Sequence, residues 1–357
     1  MASRFYALMF VAMTGVLGMV SPPDLSLMTA QAQTIQERKA EADRLISQGN
    51  KQFYISQFEA AFQSWKQALS IYREIKFRQG EGRALGNLGE AYRVIGKYDK
   101  AIELHLQRLA IAREIKDRRG EGQSLGNLGN AYYSLGKYDK AIEFYLQWLA
   151  IAREIKDRRG EGIALRNLGL AYLSLGKYDK AIELYLQSLA IAREIKNRLG
   201  EGNALGSLGL AYQSLGKYDK AIEFHLQHLA ITREIKDLSG EGSALGNLGN
   251  AYYSLGKYDK AIDYQMQRLA IAREIKDRSG EGIALNNLAV AYEKLNRDRE
   301  AMISYQQALT IAREIGDRSI EGYALANLGD VLSKAKRPEL AILFYKQSIN
   351  VREAIRK

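Results

Sequence analysis

Gly136-Lys137-Tyr138-Asp139-Lys140-Ala141-Ile142-Glu143, followed by Ala150-Ile151-Ala152-Arg153-Glu154-Ile155-Lys156, decides how this chain is read. The eight-residue string or a close variant starts at Gly96, Gly136, Gly176, Gly216 and Gly256, always 40 residues apart. Weaker copies start in the same phase at Ser56, Asn296 and Lys336. A fixed period of this size signals stacked supersecondary units, each touching only its neighbours, rather than one globular core.

The unit from Gly122 to Glu161 serves as the template. Its first half places Leu125, Leu128, Gly129, Tyr132 and Leu135 at steps of three and four, one stripe of a helix. Gly136 ends that helix at the position where a left-handed backbone is needed. The second half carries Tyr138, Ala141, Ile142, Tyr145, Leu146, Leu149, Ala152 and Ile155. That pattern predicts a second, longer amphipathic helix of roughly 18 residues, about 27 Å. Asp139 in its first turn and Arg153 and Lys156 in its last suit the helix dipole. Gly160 and Gly162 read as the exit loop. One helix pair cannot bury both of its stripes, so it must stack on the next. Gly129 and Ala141 are small where the two helices should cross closely.

Leu125, Leu128, Gly129, Tyr132, Ala141 and Tyr145 fall at the spacing of the tetratricopeptide signature, so the chain resembles that family. Leu replaces the usual Trp, and the usual 34-residue period is stretched to 40, which places the added residues in the second helix and its exit loop. The run from Leu149 to Arg158 looks like the 40-residue subclass found in Pins-type spindle-orientation adaptors. It also looks like the arms of bacterial CHAT-domain proteins, which are caspase-related peptidases. The resemblance implies an all-α fold, a right-handed solenoid of about eight stacked antiparallel helix pairs. In phase, the units are 42–81, 82–121, 122–161, 162–201, 202–241, 242–281, 282–321 and 322–357. In the first, Gly49, Phe58, Ala61, Trp65 and Ala68 keep only the outline, as in an N-terminal cap. The last ends at Lys357 inside its second helix, with no polar capping helix, which reads as a truncated product or a fragment of a longer CHAT-type chain.

Residues 1–32 read as a secretory signal peptide, followed by a lead-in over 33–41. Arg4 supplies a positive start, Phe5–Val20 carries no charge, Pro22 and Pro23 break the run, and Ala30-Gln31-Ala32 ends it with a cut after Ala32. The apolar run is shorter than the roughly 20 residues of a spanning helix. The expected location is periplasmic or secreted, with no stable membrane span after cleavage. A bacterial source fits that leader.

Because the units are internal copies, they can be compared with one another. Variation among the central units collects at Gln123/Ile163/Asn203/Ser243, Gly126/Arg166/Gly206/Gly246, Asn130/Leu170/Leu210/Asn250 and Tyr133/Leu173/Gln213/Tyr253. Those steps describe one face of the first helix, which in the resembled family lines a concave, peptide-binding groove. Beside it runs a near-constant series, Asn87, Asn127, Asn167, Ser207, Asn247, Asn287 and Asn327. An amide offers donors and acceptors to an extended peptide backbone. Two readings stay open for these Asn residues, groove binding as the resemblance implies and bonding to the neighbouring helix. The carboxylate clamp of chaperone adaptors is excluded, since Gly126 and Gly246 stand where its Lys is required. A second variable set lies on the second helix: Arg108, Trp148, Ser188, His228 and Arg268, with His105, Tyr145, Tyr185, His225 and Gln265 three residues earlier. Trp148 reads either as a partner anchor or as filling the junction to the next unit.

Composition removes most chemistry. The 357 residues carry a formal charge of +11, three His and no Cys, which excludes disulfides, thiolate nucleophiles and Cys-based metal sites. His105, His225 and His228 are too far apart along a stack to converge on a metal. No Ser/His/Asp set gathers in one unit, and acids such as Glu114 and Glu121 flank Arg or Lys, as on a solvated face. The expectation is a non-catalytic protein-interaction scaffold with no cofactor and no small-molecule substrate. It would hold an extended segment of another protein, and its near-identical faces invite self-association. Two alternatives are the sensing arm of a CHAT-type peptidase and a binder of single-stranded nucleic acid. The leader weighs against the second.

Overall fold

The computed structural model describes the backbone of residues 25–356 and the side chains of residues 34–354. The expected leader falls largely on residues 1–24, outside the described residues. All described regular structure is helical, and no described helix is long and apolar enough to cross a membrane. The chain divides into two compact units, Met1–Ala84 and Leu85–Lys357.

The first unit holds α1 (Leu25–Tyr54), α2 (Phe58–Glu74) and the opening of α3 (Arg78–Val94). Its core is Ala42, Ile46, Ala61, Phe62, Trp65, Ala68 and Tyr72, all buried. The Trp65 ring covers Gly49, where a Cβ would come within 2.5 Å of it. Trp65 Nε1 donates to Asn50 at 3.1 Å, and the Tyr72 hydroxyl donates to Asp43 at 2.7 Å.

The second unit continues α3 and adds α4 (Tyr98–Glu114), α5 (Arg118–Ser134), α6 (Tyr138–Glu154), α7 (Arg158–Ser174), α8 (Tyr178–Glu194), α9 (Arg198–Ser214) and α10 (Tyr218–Glu234). It ends with α11 (Leu238–Ser254), α12 (Tyr258–Glu274), α13 (Arg278–Lys294), α14 (Asp298–Ile315), α15 (Arg318–Lys334) and α16 (Pro338–Arg356). From α4 onward each helix packs on the next. The odd-numbered helices also meet one another, α7 on α9, α9 on α11, α11 on α13 and α13 on α15. They therefore form the inner layer of the stack.

Three expectations about the helices are corrected. The second helix is not the longer one: α5 and α6 both have 17 residues. Gly160 and Gly162 lie in the opening of α7, not in an exit loop. The Asp157 carboxylate caps α7 by accepting from Gly160 N at 2.9 Å, and it fills the place of a Gly160 side chain, where a Cβ would be 2.6 Å away. Leu146, assigned to the packing stripe, is 49 % exposed, as are its counterparts Leu106, Leu186, Leu226 and Met266 to similar degrees. Of the rest of the stripe, Leu125, Leu128, Gly129, Ala141, Ile142, Tyr145, Leu149 and Ala152 are buried, joined by Ala131 and Ile151, whereas Tyr132, Leu135, Tyr138 and Ile155 are only half-buried.

Three-residue turns join the helices, except for the two residues Gly316 and Asp317 between α14 and α15, and both kinds close on the same hydrogen bonds. After α5, Gly136 N donates to Tyr133 O and Lys137 N to Tyr132 O, each at 2.9 Å, with Gly136 at φ +71°. After α6, Lys156 N donates to Arg153 O at 3.2 Å and Asp157 N to Ala152 O at 2.8 Å. These are Schellman ends, which need a left-handed residue. At the second kind that residue is Lys116, Lys156, Lys196, Lys236 or Lys276, all at φ between 53° and 58°, whereas Gly316 takes the place in the next unit.

An ionic staple crosses each join. Glu121 is buried, 7 % exposed, not solvated as its flanking charges implied. It accepts from Arg113 Nε at 2.8 Å and from Arg118, and Arg118 reaches on to Glu154 of the following helix. The set recurs at Arg153/Arg158/Glu161/Glu194, Arg193/Arg198/Glu201/Glu234 and Arg273/Arg278/Glu281/Glu314. Leu238 replaces the second Arg in one unit, leaving only Arg233 on Glu241. At Glu201 burial opposes the charge, and the hydrogen bonds from Arg193 and Arg198 outweigh it, holding the carboxyl below its usual range.

Two outcomes follow from these contacts. Lys156→Gly should stabilise the chain by about 0.5–1 kcal/mol, since a non-Gly residue in the left-handed region costs about 1–2 kcal/mol and the added freedom of the unfolded chain offsets part of the gain. Urea unfolding measures it, with Gly316→Lys as the reverse control. Glu201→Gln should lower stability by about 1–3 kcal/mol at pH 7 through weakened charge-assisted hydrogen bonds. Because the folded carboxyl lies below its free value of 4.5, that difference is present above pH 4.5 and shrinks as the pH falls through the folded value.

Candidate functional site

The inner layer is built on a close crossing. A Cβ on Gly129 would stand 2.4 Å from the Tyr145 ring, and one on Gly169 would stand 2.5 Å from Tyr185. In neighbouring units the same floor carries His105 over Gly89, His225 over Gly209 and Gln265 over Gly249. These five variable residues are all at most 2 % exposed. The variation there is therefore inside the helix crossing and not on a binding surface. A glycine floor takes any flat ring or amide, so this position changes without disturbing the stack.

The face of the odd-numbered helices is half open, and it sorts the predicted residues. Gln123 is exposed and accepts from Arg108 Nη2 at 2.7 Å. Tyr133 meets Ser174 Oγ at 2.9 Å and packs on Tyr138 at 5.3 Å; Tyr253 packs on Tyr258 at 5.4 Å. Asn130 Oδ1 accepts from the Tyr145 hydroxyl at 2.7 Å and from Asn167 Nδ2 at 3.2 Å. Asn250 Oδ1 accepts from Gln265 and from Asn287 Nδ2 at 3.0 and 3.1 Å. Asn327 reaches Asn286 at 3.4 Å. The Asn series thus splits. Asn167, Asn287 and Asn327 tie one unit to the one before, as the second reading held. Asn127 and Asn247 are half-buried and make no side-chain hydrogen bond among the described residues: Glu90, in the place of Asn130, is held by Arg93 at 2.7 and 2.9 Å, and Leu210, in the place of Asn250, offers no acceptor. Asn87 lies half-buried on α3 in the same series.

Two adjoining hollows open on this face. One, about 270 Å³, is walled by Trp148 with Arg119, Gln123 and Asp157. Trp148 lies over Gly122 and Gly126 of its own unit and also packs toward the next unit's core. The second hollow, about 150 Å³, lies between α7, α8 and α9 beside Arg166, Ser188, Asn197 and Asn203. Arg159 and Ile163 belong to both. A third hollow, about 450 Å³, holds Tyr253 and Asn327 with Glu293, Lys334 and Tyr345. Sequence reading placed Gln123 and Arg166 on this face but missed Arg119 and Arg159. Their signal was the second Arg of an Arg-Arg pair, a position that becomes Leu199 and then Ser in the later units.

Electrostatically the crossing stays neutral. Burial pushes the His105 imidazole down to about 4, with Arg108 and Arg93 adding to the effect. Burial also pushes His225 down to about 4, helped by His228. Neither ring has a hydrogen-bond partner. Burial lowers Arg108 and Arg268 as well. Among the described residues no three His, Asp or Glu side chains are placed to hold a metal ion.

The family model of the tetratricopeptide repeat matches residues 52–114, 81–154, 120–194, 160–234, 240–314 and 284–354. No curated protein matches the chain. Among solved structures it is similar to a signal transduction ATPase with numerous domains and a tetratricopeptide repeat sensor from Pyrococcus horikoshii, with a TM-score of 0.67 and 16 % identity over 88 % of this chain and 48 % of that one. It is similar to aspartyl phosphate phosphatase F from Bacillus subtilis, at 0.62 and 17 % over 81 % and 75 %. It is also similar to a Rap protein complexed with competence and sporulation factor, at 0.59 and 14 % over 90 % and 98 %. At these identities the likeness is one of fold.

The buried imidazoles predict acid sensitivity. Their folded values near 4 lie below the ordinary 6.5, so the unfolded chain takes up the protons first. Stability is full above about pH 6.5 and falls as the pH drops toward 4, by about 2 kcal/mol per ring between pH 7 and 5. His225→Tyr, which places a ring already accommodated at Tyr185, should remove its share of that slope in urea titrations at the two pH values.

Proposed function

The chain belongs to the tetratricopeptide repeat family, and we propose on that footing that it is a non-catalytic scaffold that holds an extended segment of a partner protein along the inner face of its odd-numbered helices. One observation carries the reading. Residues that differ between otherwise near-identical copies gather on a half-open face that contains two connected hollows, while most of the packing positions repeat. A constant scaffold with a varied inner face is what recognition of successive partner residues requires. Asn127 and Asn247 supply amide groups with no internal partner, suited to an extended backbone, and Trp148, Tyr133 and Tyr253 supply contact area. The structurally similar Rap protein complexed with competence and sporulation factor supports recognition by this fold. The uncharged run Phe5–Val20 with its small-residue end supports a periplasmic or secreted location for the scaffold.

The Asn residues allow a direct test. Peptides are selected from a random 12-residue library displayed on phage, with the purified chain as bait, and binding is measured by fluorescence anisotropy. Joint Asn127→Ala and Asn247→Ala should weaken binding about tenfold with no change in melting temperature. Joint Asn167→Ala and Asn287→Ala should instead lower the melting temperature by several degrees. A library that yields no peptide enriched over an unrelated helical protein ends the proposal.

A further inference from the structure

Three departures from the repeat meet in one place. Arg166 stands where Gly86, Gly126, Gly206 and Gly246 stand in other units. Ser188 stands where the units before and after carry Trp148 and His228. Asn197 stands where Asp117, Asp157, Asp237, Asp277 and Asp317 cap their helices. The three come from α7, α8 and the turn before α9, and all three line the 150 Å³ hollow between these helices.

Each departure acts in the same direction. Trp148 in its own unit covers the inner helix, with a Gly126 Cβ only 2.8 Å from its ring, whereas the small Ser188 leaves room for the Arg166 side chain at the wall of the hollow. The Ser188 hydroxyl donates to Gly162 O at 2.8 Å, so it is already engaged. Arg166 adds a cation. Asn197 keeps the cap, accepting from Gly200 N at 3.0 Å, but removes the carboxylate charge that the other units place there. Arg159 lies at the mouth, exposed. Neither Arg159 nor Arg166 makes an ion pair or a hydrogen bond among the described residues, in contrast to Arg158 beside them, which is held by Glu161 and Glu194. Arg119, in the adjoining hollow, is likewise without a partner. Simple volume compensation between Arg166 and Ser188 would account for two of the departures, but it does not account for the loss of the acid at Asn197.

We infer that this hollow is the specificity subsite of the binding face, and that it takes an Asp or Glu side chain of the partner segment. The inference rests on the scaffold reading above. Arg159 and Arg166 present forked donors that suit a carboxylate, while Ile163, Ile191 and Leu199 form an apolar wall for its methylenes. A volume near 150 Å³ accommodates a group the size of a benzene ring. The formal charge of +11 favours an acidic segment over the whole face.

The same phage-displayed library tests it, selected in parallel on the wild-type chain, on joint Arg159→Gln and Arg166→Gln, and on Asn197→Asp, which restores the carboxylate that the other units carry. Melting curves should show all three folded, since neither guanidinium makes an ion pair or hydrogen bond among the described residues and Asp157 already caps α7 as the Asn197→Asp carboxylate would cap α9. Peptides from the wild type should share an acid at one fixed position. Changing that acid to Gln should weaken binding to the wild type at least tenfold and leave binding to either variant unchanged. The inference is overturned, with the scaffold reading intact, by enriched peptides that share no acid, or by an acid-to-Gln change that weakens wild type and variants equally. It is overturned too by a single-stranded oligonucleotide that displaces the peptide with the steep salt dependence of counterion release. A library that enriches nothing removes the scaffold reading itself.

Discussion

The stack depends on the approach of two helices at a glycine. Where Gly129 faces Tyr145, the ring lies so near the backbone that a Cβ would meet it at 2.4 Å. That contact sets the spacing of α5 and α6. With the three-residue turns, it sets the angle at which the next pair is placed. Ala141 on the facing helix is fully buried and leaves room for the same approach. A larger residue at either site must push the helices apart, and interiors packed at crystal-like density accept such a change poorly.

Around this contact the chain has arranged two further restraints, one rigid and one strained. The Arg113–Glu121–Arg118–Glu154 staple joins three successive helices. Its carboxylate is buried while its guanidiniums are about half exposed, so its strength comes from hydrogen-bond geometry at Glu121 more than from long-range attraction. The strained element is the left-handed Lys at the second kind of turn. The Schellman bonds and the Asx cap that follows over-determine the backbone there, which is why a Lys is tolerated where Gly316 is used once.

The same architecture decides where variation is harmless and where it has a consequence. At the crossing, His105, Tyr145, Tyr185, His225 and Gln265 replace one another unseen by solvent, with uneven polar satisfaction. Tyr145 finds Asn130, whereas the Tyr185 hydroxyl finds no acceptor, because Leu170 stands in the corresponding place. One turn further along the same helices, Trp148 and Ser188 stand at the edge of the inner layer, where each walls one of two adjoining hollows. The neutral stack and the varied rim are thus separated by a single helical turn.

Sequence alone settled the pair-by-pair organisation, because the 40-residue period and the spacing of Leu125, Leu128, Gly129, Ala141 and Tyr145 are local facts that permit one kind of packing. It also identified the half-open face, since helical steps of three and four follow from geometry that every α-helix shares. It misjudged Leu146, the helix lengths and Glu121, whose surroundings are supplied by other helices. Only the tertiary structure divided the Asn series into Asn167, Asn287 and Asn327, bound to a neighbouring unit, and Asn127 and Asn247, without a hydrogen-bond partner among the described residues. Only it brought Arg166, Ser188 and Asn197 together. Those outcomes depend on which residue of the adjacent unit comes into reach, and distance between units is a property of the stack that no single repeat contains.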